Sequence, residues 1–370
     1  MKQRSPYKKV TLSDVAREAN VSSSTVSRVL NNPEIVDANT RKNILSVMSR
    51  LDYVYSKGSS SPSQAQNQDP SGRKIPKKGI IALMIPSDEN PFYQTMISLV
   101  ERTLTKAGYL MLLCIFNNDP ENIDAYLQNL FSQQVDGCIM AFIKPDVHSA
   151  MYKKFTSLIP CVSFQSETDH VDSVSADEET GTYEMLDRLV NFGHKKIGFV
   201  GYFSNLLSYE RRFGAYKRIH ADHDLPIRSE YISEYKGQTG LDFQTSYREG
   251  CRLLSLPDRP TAIFCFNLKV AIGVYTAIRD YKLRIPEDIS ICAFDELQIA
   301  QVFSPPLSVV GMPLQGMVSS AFDFLRDRIE NTSVAEADPQ SEVTENAQHI
   351  LFPTTVHQRA SIGPAPDLQP

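Results

Sequence analysis

From Gly79 onward, short apolar runs alternate with helix-patterned segments, and this alternation restricts the fold more than any other feature of the chain. The run Ile80-Ile81-Ala82-Leu83-Met84-Ile85, ended by Pro86, suits a strand buried on both faces of a parallel sheet. A helix over about 92–107 follows, stopped by Gly108, then a strand over 109–115, a helix over about 123–133 and a strand over 137–142. Cys161–Phe164 continues the sheet. The rhythm repeats with strand 196–200, helix 210–221, strand 262–266, helix 270–281 and strand 289–293. Strands joined by crossover helices imply doubly wound parallel sheets, with ligands held at the carboxyl ends of the strands. About ten such strands exceed one comfortable domain, so two lobes with a cleft between them are predicted.

At 370 residues the chain is long enough for two or three packed units. Its net charge of -5 conceals an asymmetry. Residues 1–78 carry 14 Lys and Arg against 6 Asp and Glu, and the remainder carries 24 against 37. A basic head on an acidic body is the footprint of a DNA-binding module joined to something else. No run of about 18 apolar residues is present, so no membrane span is expected. The start, Met1-Lys2-Gln3-Arg4, leads into no apolar stretch, so a secretory signal is not expected. Cysteines 114, 138, 161, 251, 265 and 292 lack metal-like spacing and read as buried free thiols of a cytoplasmic protein.

The head supplies the sharper signal. Leu12, Val15, Ala16 and Ala19 recur at helical spacing, with Thr11 as a possible cap. Asn20-Val21-Ser22 interrupts, since Asn tolerates the left-handed conformation of a sharp helix end. Ser22 then caps a second helix to about Leu30, and Asp37 caps a third, from about Ala38 to Leu51, whose stripe is Ile44, Leu45, Met48 and Leu51. Two short helices across a tight turn form a helix-turn-helix. The second helix leads with Ser22, Ser23, Ser24, Thr25 and Ser27. Such small polar residues let its N-terminus approach phosphate, and Arg28 can fork onto a guanine edge.

The stretch Val10–Tyr53 resembles the head of the lactose-repressor/galactose-repressor (LacI/GalR) family. The resemblance rests on Val10-Thr11-Leu12-Ser13-Asp14-Val15-Ala16, Val21-Ser22-Ser23-Ser24-Thr25-Val26-Ser27-Arg28-Val29-Leu30-Asn31, Thr40-Arg41 and Leu51-Asp52-Tyr53. It implies that Ser23, Ser24 and Arg28 read bases, and that Thr11, Ser22, Ser27, Asn31, Thr40 and Tyr53 contact phosphate. The resemblance extends from Gly79 to about Ser361 through Asn90-Pro91-Phe92-Tyr93, Gly193-His194-Lys195-Lys196-Ile197-Gly198-Phe199, Glu210-Arg211-Arg212-Phe213-Gly214 and Pro286-Glu287-Asp288-Ile289-Ser290. The implied fold is an N-terminal all-α helix-turn-helix head on an α/β two-lobed, periplasmic-binding-protein-like core with two doubly wound parallel sheets. The expected domains are the head over 1–53, a flexible linker over 54–78 in place of a hinge helix, a core N-lobe over 79–175 and 308–332, a core C-lobe over 176–307 and 333–362, and a disordered tail over 363–370. In the linker, Arg73, Lys74, Lys77 and Lys78 are candidate phosphate contacts. His194 is expected to mark a helix end, where a cation favours the dipole.

By the same resemblance, the effector is held by Asn90, Phe92, Tyr93, Gln165, Arg211, Asn267 and Asp295. Gln165-Ser166, Asn267-Leu268 and Gly311 depart from the family's usual sugar partners, with Leu268 read as an apolar wall. The small-molecule effector expected here is therefore a carbohydrate-related or anionic metabolite read by Arg211, rather than a plain neutral hexose or pentose. The implied protein is a homodimer on a pseudo-palindromic, double-stranded operator, with no cofactor, metal or membrane partner and nothing that supports a protein corepressor. Two other classes fit the chain less well. A stand-alone binding protein for a transporter fits the lobes but not the head. An enzyme finds no GxGxxG, P-loop, GxSxG or metal cluster.

Overall fold

The computed structural model describes residues 12–31, 36–50, 79–117, 119–143, 149–166, 170–201, 207–233, 243–337 and 347–368. The chain divides into two units, up to Asn67 and from Gln68 onward.

In the first unit, α1 (Leu12–Glu18), α2 (Ser23–Asn31) and α3 (Ala38–Arg50) close around one small core. Val15, Ala16 and Ala19 of α1 meet Val26 and Val29 of α2 and Ile44, Val47 and Met48 of α3. The break between α1 and α2 is made by Asn20, whose φ of 55° lies in the left-handed region that a short amide side chain tolerates. Ser22 Oγ then accepts the Thr25 backbone N–H at 3.2 Å, which satisfies one orphan donor of α2. Asp37 does the same for α3 by accepting the Thr40 N–H at 3.0 Å. Asn43 Nδ2 donates to the Ala19 carbonyl at 3.2 Å and ties α3 to the end of α1.

The second unit opens with β1 (Ile80–Ile85), α4 (Pro91–Ala107), β2 (Leu110–Ile115), α5 (Pro120–Ser132), β3 (Gly137–Ala141), α6 (Ala150–Leu158), β4 (Cys161–Phe164) and β5 (Asp172–Ala176). It continues through α7 (Glu178–Asn191), β6 (Ile197–Val200), α8 (Leu207–Asp222), α9 (Phe243–Leu254), β7 (Ala262–Cys265), α10 (Leu268–Asp280), β8 (Ser290–Phe294), β9 (Ser308–Gly311), α11 (Leu314–Ala337), β10 (His349–Phe352) and β11 (Thr355–His357). Two sheets result. The first has the order β10-β5-β4-β3-β1-β2, and the second β11-β9-β8-β7-β6. All pairings are parallel except β11 against β9. Because successive strand side chains point to opposite faces, β1 feeds two cores. Ile81, Leu83 and Ile85 pack against α4 and α11, while Ala82 and Met84 pack against α5 and α6. This double burial is why the strand reads as an unbroken apolar run.

Three corrections to the sequence reading emerge. The lobe crossings expected near 308 and 333 fall instead after Gly311 and after Phe352. β9 pairs with β8 in the second sheet, α11 packs on the first, and β10 pairs with β5 there. Parallel β10 is short and largely exposed, so its sequence carries no buried-strand signal.

The tail over 363–370, expected to be disordered, is ordered through Leu368. Gly363 N–H donates to Ser290 Oγ at 3.1 Å, Ala365 N–H donates to the Phe192 carbonyl at 2.8 Å, and Ala365 is buried. Fixed backbone hydrogen bonds outweigh a Gly/Pro-rich composition here. His194 is no helix-end cation. It is fully buried, with Nδ1 2.9 Å from Thr261 Oγ1 and Nε2 3.1 Å from Ser290 Oγ and 3.0 Å from the Gly363 carbonyl. Burial holds its pKa below the usual histidine value.

Candidate nucleic-acid interface and effector cleft

Val26 and Val29 bury one side of α2, while Ser22 just before the helix and Ser23 and Arg28 on it are exposed. The helix core thus fixes α2 by its apolar side and leaves a serine-lined N-terminus and a guanidinium outward. Backbone N–H groups at such a terminus favour anions, and a short side chain lets phosphate come close. Ser24, Ser27 and Asn31 also lie on α2. Thr40, half-buried, donates Oγ1 to its cap Asp37 at 3.3 Å as well as its N–H. Thr11, Tyr53 and the linker residues Arg73, Lys74, Lys77 and Lys78 lie outside the described residues.

Between the two sheets of the second unit lies a cleft. From the first lobe come Asn90, Phe92, Tyr93 and Phe142; from the second come Ser208, Arg212, Phe266, Asn267 and Asp295; Met312 lines it at a crossing. Two helix starts position the polar groups. Asn90 caps α4 by accepting the Phe92 N–H at 3.1 Å, and Asn267 caps α10 by accepting the Val270 N–H at 2.9 Å. Phe92, Tyr93 and Phe142 meet edge to face with ring centroids 5.4–5.6 Å apart, giving the first-lobe wall a fixed aromatic surface.

Arg212, not Arg211, enters the cleft. The buried stripe of α8 is Ser208, Tyr209, Arg212, Ala215, Tyr216, Ile219 and His220, and Arg211 lies off it. That three-and-four spacing was present in the sequence and would have selected Arg212. Arg211 donates Nη1 to the Ala176 carbonyl at 3.3 Å. Arg212 donates Nη2 to Glu178 Oε1 at 2.5 Å and Nη1 to the Phe266 carbonyl at 2.6 Å. Its guanidinium lies 3.7 Å from the Phe294 ring centroid and 4.6 Å from that of Phe266. Arg212 is therefore not the open anion fork expected of an arginine here.

Asp295, at a φ of 81° after β8, is buried, and burial pushes its carboxyl up to about 6 despite the opposing pull of Arg212. Gln165 is a brace. It accepts the Ala176 N–H at 2.6 Å and donates Nε2 to Met312 Sδ at 3.2 Å, so it supports a cleft wall from behind. Leu268, expected as an apolar wall, is fully buried in the second lobe's core. At Gly311 a β-carbon would stand 2.7 Å from Glu296 Cβ and 3.1 Å from His357 Nε2, which leaves no room for a side chain reaching the cleft. Ser208, Arg212, Phe142, Phe266 and Met312 line the cleft without having been singled out from the sequence, and Glu178 holds Arg212 from outside the lining. Phe142 and Phe266 stand at strand ends, the position where such folds gather ligand contacts.

A basic helix-turn-helix unit followed by a two-lobed α/β unit with a polar cleft defines a DNA-binding regulator with a small-molecule pocket. The comparisons agree. Residues 11–56 match the family model "Bacterial regulatory proteins, lacI family", and residues 186–362 match that of the periplasmic binding protein-like domain. The HTH-type transcriptional repressor PurR of Actinobacillus pleuropneumoniae serotype 3 (strain JL03) is 31% identical over 323 residues, covering 86% of this chain and 91% of the relative. Among solved structures, the lac repressor dimer bound to operator and the anti-inducer ONPF superposes with a TM-score of 0.65 at 20% identity, over 96% of this chain and 99% of that one. A LacI family transcriptional regulator from Enterococcus faecium with bound ribose gives 0.64 at 24% identity, over 77% of this chain and 99% of that one. The chain belongs to the lacI family of bacterial regulatory proteins. It is a ligand-responsive DNA-binding transcriptional regulator, not an enzyme. Among the described residues, no helix is long and apolar enough to cross a membrane.

Proposed function

We propose that the protein acts as a cytoplasmic homodimeric repressor. It grips a pseudo-palindromic operator through residues 1–53 and answers to a small ring-shaped, carbohydrate-related effector held between the lobes by Asn90, Phe92, Tyr93, Arg212, Asn267 and Asp295. The observation that carries this reading is α2, held by its apolar side and presenting Ser23 and Arg28 outward. Ser23, Ser24 and Arg28 set sequence choice; Thr11, Ser22, Ser27, Asn31, Thr40 and Tyr53 set affinity and its salt dependence. The lac repressor that superposes on this chain is a dimer bound to operator, which supports the same assembly here. Two-fold pairing then demands two half-sites. The effector would alter the lobes and hence operator affinity, with a coupling of about 1–3 kcal/mol, or roughly 5- to 150-fold.

The test is selection of genomic DNA on the purified protein, repeated with Arg28→Ala. Recovery of a short pseudo-palindrome, lost in the variant, supports the reading. Tight binding without sequence preference, unchanged by the substitution, would overturn it.

A further inference from the structure

Two carboxylates stand around the one arginine of the cleft lining, Asp295 within the lining and Glu178 behind it. Arg212 is 3% exposed and is engaged by Glu178, which is fully buried. Lys269, at the start of α10, reaches across to Glu89 in the first lobe at 2.9 Å. Arg359 holds Glu296, the neighbour of Asp295, at 2.6 Å. Each of these three cations thus has a carboxylate of its own. Asp295 is 4% exposed and, among the described residues, has no ion-pair partner within 4.0 Å. The groups that face it are Arg212 of α8, Glu178 of α7, the Leu268 backbone N–H of α10 and, from the first lobe, Asn90, Phe92 and Tyr93 of α4 and the residue before it. Two carboxylates therefore share one guanidinium in a desolvated site. A buried charge without a partner is costly, and the site relieves it either by taking up a proton or by receiving a cation.

We infer that the effector presents an amino group, charged or proton-donating, to Asp295, and that the cleft rejects anions. This rests on the proposed effector cleft. The amino group neutralises Asp295 and donates to it, a charge-assisted hydrogen bond in a dry site. Its ring lies among Phe92, Phe142 and Phe266, whose faces also attract a cation. An anionic effector would meet Asp295 and Glu178, with Arg212 held through both terminal nitrogens by the Phe266 carbonyl and Glu178 and, among the described residues, only its Nε without a hydrogen-bond partner. The same chemistry is offered by an amino sugar and by an amino-substituted heterocycle.

Two matched sets distinguish these sources: glucosamine, glucose and glucose 6-phosphate; and cytosine, uracil and orotate. Binding of each to the full-length protein is measured by calorimetry and thermal shift. The expected result is that the amine of one set binds at least about tenfold tighter than its neutral twin, while the anionic twin does not bind. This preference disappears in Asp295→Asn and shrinks in Glu178→Gln, which removes one negative charge but leaves Asp295. Tighter binding of a neutral or anionic twin, or an unchanged preference in Asp295→Asn, would overturn the inference. If no probe binds, the unliganded protein decides. Asp295→Asn must melt higher than the unsubstituted chain near pH 8 and lose that advantage near pH 5, where Asp295 is protonated; equal melting at both would overturn it. Operator affinity, read in the same samples, separates the two proposals. A bound amine that leaves operator affinity unchanged sinks the effector reading and keeps the charge selection. An operator response to orotate or glucose 6-phosphate does the reverse.

Discussion

Replacing Arg212 by Met tests whether the buried ion pair is an obligatory unit of the second lobe. The substitution keeps an unbranched stem of similar length and removes the guanidinium. Four interactions go with it: the 2.5 Å bond to Glu178, the 2.6 Å bond to the Phe266 carbonyl, and the stacking 3.7 Å from the Phe294 centroid and 4.6 Å from that of Phe266. The larger effect is what remains. Glu178 is left fully buried without a counter-ion, beside Asp295. Breaking a buried pair by removing one partner costs about 3–5 kcal/mol, because the surviving charge cannot return to water. For a unit of this size that corresponds to a melting-temperature drop of roughly 6–20 °C. Scanning calorimetry near neutral pH reads it directly. The companion variant Arg212→Met with Glu178→Leu removes both charges and should recover most of the loss. A single-variant loss below about 1 kcal/mol, or a double variant as unstable as the sum of the two singles, would refute the reasoning.

Gly273 of α10 lies where α9 crosses it, and an added β-carbon would stand 2.5 Å from Ser246 Cβ and 2.7 Å from the Tyr247 backbone nitrogen. Gly273→Ala should therefore destabilise by about 1–3 kcal/mol net of any helix-propensity gain; a raised melting temperature would contradict the close crossing. His194→Ala should cost about 1–3 kcal/mol by stranding Thr261, Ser290 and the Gly363 carbonyl, read by denaturant melts. Because burial depresses the pKa of His194 below 6.5, its contribution is present above that value and is lost as the pH falls below it. Melting profiles from neutral to mildly acidic pH should thus be flatter in the variant than in the parent. Ser22→Ala removes the cap of α2 and should cost the head about 1 kcal/mol, seen as faster amide exchange at Thr25 and Val26; unchanged exchange would show that the cap contributes nothing.

Much of the architecture was legible because local chemistry and burial agree. Asn90 and Pro91 start α4 and Gly108, at a φ of 87°, ends it, as the cap pattern predicts. Asn20, Ser22 and Asp37 likewise set the helix breaks of the head. The strands of the doubly wound sheets read as apolar runs because both their faces are covered. The failures occurred where long-range contact decides. β10 is recruited to the first sheet by pairing with β5, although its own residues are mostly exposed. The last residues are held by Phe192, His194 and Ser290, which lie far away in sequence. The cleft was half legible. Asn90, Phe92, Tyr93, Asn267 and Asp295 line one cleft, and the arginine beside them is Arg212 rather than Arg211, because the buried stripe of α8 carries Arg212.

That one-residue shift changes the chemistry assigned to the cleft. Arg211 with missing carboxylates suggests an open cation seeking an anion. The structure supplies a carboxylate from an unexpected place, Glu178 at the start of α7, and spends the guanidinium on it. The sign of a binding site is set by the charges left after internal pairing, not by the residue types that line it. Pairing here follows from the crossing after β5. That crossing brings the first turn of α7 against α8, so Glu178 reaches Arg212 although 34 residues separate them. Asp295, delivered by a third element, is left as the remainder. On the proposed reading, effector charge is thus set by how the second lobe is threaded, and substitutions at Glu178, outside the cleft lining, should shift it in the same direction as substitutions at Asp295, though less.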